Sequence, residues 1–230
     1  MFWYIDPVYF WYVLIPVFVI SLGVQLYLRS TVSKWSQARN QAGLTGMQVG
    51  QQLFNRTSLR PIPLQRIGGN MTDHFDPGSD VVRLSETTAD KQSVAAMAIC
   101  AHELGHVQQY QTGSGLIKAR GFLLPALQFS PTISYLAILF GLWFNMNNLL
   151  WIGILFFGLM VLFSILTLPV EIDASRRGLR LLGEAGLTQS EEDARGSRAV
   201  LTAAALTYLA AAITSILQLL YYVSLAQRRG

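Results

Sequence analysis

The segment AICAHELGHVQQY, Ala98–Tyr110, sets His102 and His106 four residues apart with Glu103 beside the first of them. Helical residues at i and i+4 share one face a turn apart, so both imidazoles can reach a single metal ion. Glu103 lies one step round from His102, within reach of a water on that ion. In this HExxH spacing the glutamate is a general base and not a ligand, and the chemistry it serves is metal-assisted hydrolysis. A catalytic zinc normally takes three protein ligands and keeps a fourth position open. The third ligand must come from elsewhere in the chain.

Three residues compete for that role. In LPVEIDASRR, Leu168–Arg177, Glu171 ends a long apolar stretch, where an acid is costly and usually functional. Its alternative role is an interfacial acid paired with Arg176 or Arg177, or a helix cap. Asp173 lies two residues on, about 200° round a helix, so only one of the two faces a metal directly. The other is expected to orient a ligating imidazole or an arginine from behind. His74, the one histidine outside the motif, precedes Asp76-Pro77 on a short predicted strand. It could complete a three-histidine site, donate to an oxyanion or touch substrate, or be an exposed hairpin residue without a role. Cys100 points away from the motif face and reads as core. Arg176 and Arg177 read as charge anchors, with gripping substrate carbonyls as the alternative.

These groups need elements to hold them, and composition says what kind. Of 230 residues 52% are hydrophobic and 13% charged, about half the charge of a soluble domain. Pro7–Leu28, Gly121–Phe144, Leu149–Val170 and Ala199–Ala226 carry no Asp, Glu, Lys, Arg or His. Each exceeds the roughly 20 residues that span a bilayer as a helix. As buried core helices they would leave too little polar surface, so membrane insertion is the reading. No basic segment precedes the first stretch, and no small-residue cleavage site clearly follows it, so a retained anchor is expected. Trp3, Tyr4, Tyr9, Phe10, Trp11 and Tyr12 form an aromatic belt at its start.

The basic residues orient the chain. Of 17 Lys and Arg, ten lie in residues 29–121 and five in 171–199, and Asn145–Asn148 has none. The positive-inside rule puts both charged regions, 29–120 and 171–198, in the cytoplasm, with Arg228 and Arg229 a mild exception. The single Cys100 forbids an internal disulfide and fits a reducing compartment. The net charge of +4 follows from this topology, with attraction to anionic lipid heads. No basic-aromatic nucleic-acid pattern is present.

Along the chain, residues 30–42 read as helix ending at Gly43, and Thr45 with Gln48 reads as a capping box opening a second helix to about Asn55. Pro61–Ile67, Met71–Phe75 and Val81–Leu84 read as two or three strands of a small antiparallel meander. Thr88–Gln111 reads as one Ala-rich helix stopped by Gly113, and Pro125 and Pro131 are expected to kink the second span. No repeat or flexible linker appears, so residues 1–230 read as one domain. The fold class is a mainly α integral membrane protein: about four transmembrane helices (7–28, 121–144, 149–170, 199–226) and a small cytoplasmic zincin-like part.

TDHFDP followed by VVRLS, then CAHELGHVQQ, LPVEIDASRR and VLTAAALTYLAAA resemble the YugP-type membrane zinc metallopeptidases, distant relatives of the HtpX-type and CAAX-prenyl proteases. The blocks occur in family order and cover nearly the whole chain after the first helix. The resemblance implies an integral membrane peptidase of the prokaryotic cell membrane. It also implies one zinc per chain, bound by His102, His106 and an acid matching Glu171, with Glu103 as base. HtpX-like relatives carry an Asp four residues after the ligand Glu; here Ser175 stands there and Asp173 is the nearby acid.

The expected partners are the lipid bilayer and a protein or peptide substrate, not nucleic acid; a membrane-protein partner or a second copy of the chain is left open. Two other readings stand beside this one. In a site-2-type protease the motif lies within a spanning helix, whereas here Glu86, Asp90 and Lys91 precede it and Gln108, Gln109 and Gln111 follow it. A zinc-stabilised scaffold that regulates a partner without proteolysis would have no need of Glu103.

Overall fold

The computed structural model describes residues 6–229. Trp3 and Tyr4 of the aromatic belt lie outside them. The chain divides into two compact units: one holds the stretches up to Gln25, Lys118–Pro169 and from Thr207 on, the other Leu26–Ile117 and Val170–Leu206.

The first unit is helical. Among the described residues, four helices are long and apolar enough to cross a membrane: Pro7–Gln37, Gly115–Trp143, Asn147–Glu184 and Glu191–Gln227. The first is built of α1 (Pro7–Tyr9), a π-helical turn (Phe10–Leu14) and α2 (Ile15–Gln37). Phe122, Trp143 and Leu155 are 85%, 76% and 66% exposed, an apolar outer surface that lipid, and not water, covers. The charge-free connection after Trp143 turns through Asn145, whose φ of 54° is left-handed. It lets Gly141 and Leu150 approach so closely that a Cβ on Gly141 would lie 2.7 Å from the Leu150 nitrogen. The Ser134 hydroxyl donates to the Gly153 carbonyl at 2.9 Å, satisfying a buried polar group where no water is at hand.

In the second unit, α3 (Gly46–Arg56) opens with the expected capping box: Gln48 N donates to Thr45 Oγ1 and Thr45 N to Gln48 Oε1. Strands β1 (Leu64–Ile67), β2 (His74–Asp76) and β3 (Val81–Ser85) form one sheet in the order β1-β3-β2. The antiparallel meander needs correcting here. β2 pairs antiparallel with β3, through Phe75 opposite Val82, but β1 runs parallel to β3, through Leu64 opposite Val82. β3 is the most apolar strand, with Val81, Val82 and Leu84 buried, and takes the centre. The more polar β1 and β2 are left as its edges.

The single helix expected over Thr88–Gln111 is two, α4 (Glu86–Ala89) and α5 (Val94–Gln111). Between them the chain is extended. Asn40 N donates to Gln92 O and Val94 N to Ala38 O, and Ser93 then caps α5 by accepting from Ala96 N at 3.1 Å. Residues 38–40 serve that pairing, so α2 ends at Gln37 instead of running to Gly43. α5 stops as expected, with Gly113 at φ 63°. The long helices α6 (Gly115–Trp143) and α7 (Asn147–Glu184) continue through Pro125, Pro131 and Pro169. α7 also carries Glu171 and most of the region read as a loop after it; only the short turn before α8 (Glu191–Gln227) is non-helical.

α5 is the core of this unit. Val94, Met97, Ala98, Cys100, Ala101, Leu104 and Val107 are fully buried along it, against Val49 and Leu53 of α3, Val82 and Leu84 of β3, and Leu181 and Leu182 of α7. Cys100 is core, as expected, and burial pushes its thiol well above the ordinary cysteine range.

Candidate metal centre

Two glycines bring α5 and α7 together. A Cβ on Gly105, the glycine of HELGH, would stand 2.1 Å from the Ala174 carbonyl oxygen, and one on Gly178 would stand 2.6 Å from that of Ala101. Only hydrogen fits at either place, so the helices cross backbone against backbone. That crossing sets Glu171 of α7 opposite His102 and His106 of α5.

The imidazoles point inward through Nε2. Glu171 Oε2 is 3.3 Å from His102 Nε2 and 3.5 Å from His106 Nε2, and the three groups' ligand atoms lie within 4.8 Å of one another. Two ligands at about 2.0–2.1 Å from a tetrahedral zinc are about 3.3–3.4 Å apart. The donor set, two neutral-capable nitrogens and one carboxylate oxygen, fits one zinc ion. Both Nδ1 atoms are engaged on the far side: His102 Nδ1 is 3.1 Å from Ser175 Oγ and His106 Nδ1 is 3.0 Å from Gln109 Oε1. Burial draws the His106 pKa down, but the Glu171 hydrogen bond and the charges of Glu103 and Glu171 outweigh it, and the net shift is upward.

Glu103 is buried, 7% exposed. Its Oε2 accepts from the backbone N–H of Phe75 at 3.0 Å. The Phe75 amide is thus turned away from β3 and toward α5, at the free edge of β2. Burial raises the Glu103 pKa above the usual carboxyl range; the imidazoles of His102 and His106 oppose the shift, and Asp73 and Glu171 add to it.

Asp173 is outside the ligand group. Its Oδ2 accepts from Gln109 Nε2 at 2.8 Å and from Arg177 Nε at 2.7 Å. His74 is exposed, and its Nδ1 lies 2.8 Å from the Thr72 carbonyl oxygen. α5 is not among the four helices apolar enough to cross a membrane.

The profile of the family described as "Putative neutral zinc metallopeptidase" matches residues 10–227. The chain belongs to this family. It is 34% identical over 204 residues to "Putative membrane protease YugP" of Bacillus subtilis (strain 168), an alignment covering 89% of this chain and 90% of that protein. No solved structure matches it. The protein is therefore a membrane member of a zinc metallopeptidase family, with peptides as its substrate class and lipid around its four apolar helices.

Sequence reasoning assigned no role in the site to Gln109, Ser175 or the Phe75 backbone. Gln109 stands three residues after His106, on the same helical face, and Ser175 four after Glu171; both spacings were available as signals. Nothing local pointed to the Phe75 amide.

Proposed function

We propose that this metallopeptidase is a zinc-dependent endopeptidase working at the cytoplasmic membrane face, with His102, His106 and Glu171 as ligands and Glu103 as general base. The observation that carries the reading is the convergence of two imidazole Nε2 atoms on one buried carboxylate, with Glu103 on the same turn of α5. A zinc ion held there supplies Lewis acidity and lowers the pKa of water toward neutrality. Glu103 takes a proton from the water as its oxygen bonds to the peptide carbonyl carbon, and gives that proton to the amide nitrogen as the C–N bond breaks. The Phe75 N–H keeps the carboxylate oriented. An extended peptide is expected to run along the outer edge of β2, beside Glu103, and His74, exposed on that strand, is assigned to the substrate side and not to the metal. Arg29, Lys34 and Arg39 after the first span, and Arg176, Arg177 and Arg180 after the third, support the cytoplasmic assignment. Substrates are then membrane proteins or peptides near the membrane.

The test is zinc content and casein cleavage of the purified protein, with and without chelator. Wild type is expected to hold about one zinc per chain and to cleave, as a single catalytic site requires. Glu103→Gln should keep the zinc and lose cleavage. Zinc loss in that variant, or undiminished turnover, overturns the assignment.

A further inference from the structure

Gln109 is fully buried, 0% exposed, one turn beyond the second histidine of the motif. Its Nε2 donates to the Val170 carbonyl oxygen at 2.8 Å and to Asp173 Oδ2 at 2.8 Å. Both partners can only accept. Turning the amide over would set its oxygen against both of them, so its direction is determined by chemistry and both N–H bonds are used. Oε1, an acceptor only, then faces His106 Nδ1 at 3.0 Å. Nδ1 must carry a proton, so Nε2, on the side of Glu171, is the atom left to give its lone pair when a metal binds. Arg177, donating to Asp173 at 2.7 Å, anchors the far end. Arg177, Asp173, Gln109 and His106 thus form one chain of directed hydrogen bonds.

His102 is held differently. Its Nδ1 meets the hydroxyl of Ser175 at 3.1 Å, and a hydroxyl can donate or accept. Ser175 orients the ring without choosing its tautomer.

We propose that Gln109 is a positioning residue that holds the His106 ring with Nδ1–H donated away from the site and Nε2 presented to the metal, with Asp173 acting through Gln109, while the Ser175 hydroxyl leaves either tautomer open to His102. This rests on the metal-site reading above. It makes the centre asymmetric: the motif's second histidine is the preorganised ligand and its first the adaptable one.

The experiment measures zinc affinity by competition with a chromophoric chelator, together with the absorption spectrum of the cobalt-substituted protein. Gln109→Met keeps the volume and removes the acceptor; it should weaken zinc binding by about 10–100-fold, as loss of an outer-shell partner does, and alter the cobalt spectrum. Gln109→Glu keeps an oxygen to accept from Nδ1 but loses the N–H donors to Val170 and Asp173, so zinc binding should weaken clearly less than in Gln109→Met, with a cobalt spectrum closer to wild type. Ser175→Ala should fall between the two. A role limited to bracing α5 against α7 predicts instead that Gln109→Glu fails as badly as Gln109→Met, because both lose the paired N–H donors. That result, or wild-type affinity in Gln109→Met, overturns the proposal. Should Gln109→Met not fold, a folded Gln109→Glu that has lost zinc overturns it alone, and one that retains zinc while Ser175→Ala is weakened supports it. A wild-type protein that binds no zinc removes the metal-site reading itself, a separate and recognisable failure.

Discussion

A methyl group on Gly105 would stand 2.1 Å from the carbonyl oxygen of Ala174. The glycine inside HELGH is therefore a packing requirement as much as part of a motif: it sets how near α7, and with it Glu171, comes to the two histidines. Gly105→Ala is expected to push the helices apart, to destabilise the protein by about 1–3 kcal/mol as overpacking does, and to lose zinc. Gly183→Ala, on the same α7 but with nothing within 4 Å of the added carbon, should keep the zinc and leave the melting temperature the same or slightly higher, as replacing a helical glycine does. Zinc content and melting temperature of the two variants check this; normal zinc in Gly105→Ala would mean that the crossing distance does not govern the site.

The acids should rank. Glu171→Ala removes the oxygen within 3.3 and 3.5 Å of both imidazoles, so zinc affinity should drop by more than about 100-fold, beyond the range of outer-shell losses. Asp173→Ala, one residue removed from His106 through Gln109, should cost about 10–100-fold. His74→Ala should keep full zinc, since its imidazole is exposed and turned to the Thr72 carbonyl. Zinc loss in His74→Ala with zinc retained in Glu171→Ala would replace this ligand set with a three-histidine one.

The turn that aims β2 carries a pH signature. The Arg83 guanidinium donates to Asp76 Oδ2 at 2.8 Å, the Ser79 hydroxyl donates to the same oxygen, and Gly78 N donates to Oδ1 at 2.9 Å. Together they hold the Asp76 carboxyl well below the usual range. A depressed folded-state pKa gives stability that is complete above the unfolded value of about 3.9 and is lost as pH falls below it. Thermal melts of wild type and Asp76→Asn should therefore differ at neutral pH, wild type being the more stable, and converge as pH drops below about 4. A gap of constant size across that range would show that the carboxylate charge is not what secures the turn.

Sidedness can be read with single cysteines. Cys100 is 0% exposed and should stay silent toward a membrane-impermeant maleimide, so it needs no replacement. Met146→Cys, at an exposed position of the α6–α7 turn, should label in intact cells. Gln189→Cys, exposed before α8, should label only after permeabilisation. The reverse pattern would invert the orientation and move the site to the other face.

Much of this protein is legible in short-range pattern. The spacing of His102 and His106, the four charge-free stretches, the Thr45–Gln48 cap and the stop at Gly113 are each decided within a few residues, by helix periodicity, by the cost of charge in hydrocarbon and by local backbone chemistry. What the tertiary structure alone decided are the relations between residues far apart in the chain. β3 takes the central place in the sheet because it buries most apolar surface, which turns an expected meander into a mixed sheet with β1 parallel. Ser93 caps a helix because residues 38–40 pair with the chain before it. Glu103 finds the Phe75 amide, and Gln109 finds both His106 and Asp173, because α5 is packed on every side and each buried polar group must meet a partner there. Periodicity tells which face of a helix is buried; only the packed structure tells which donor meets which acceptor.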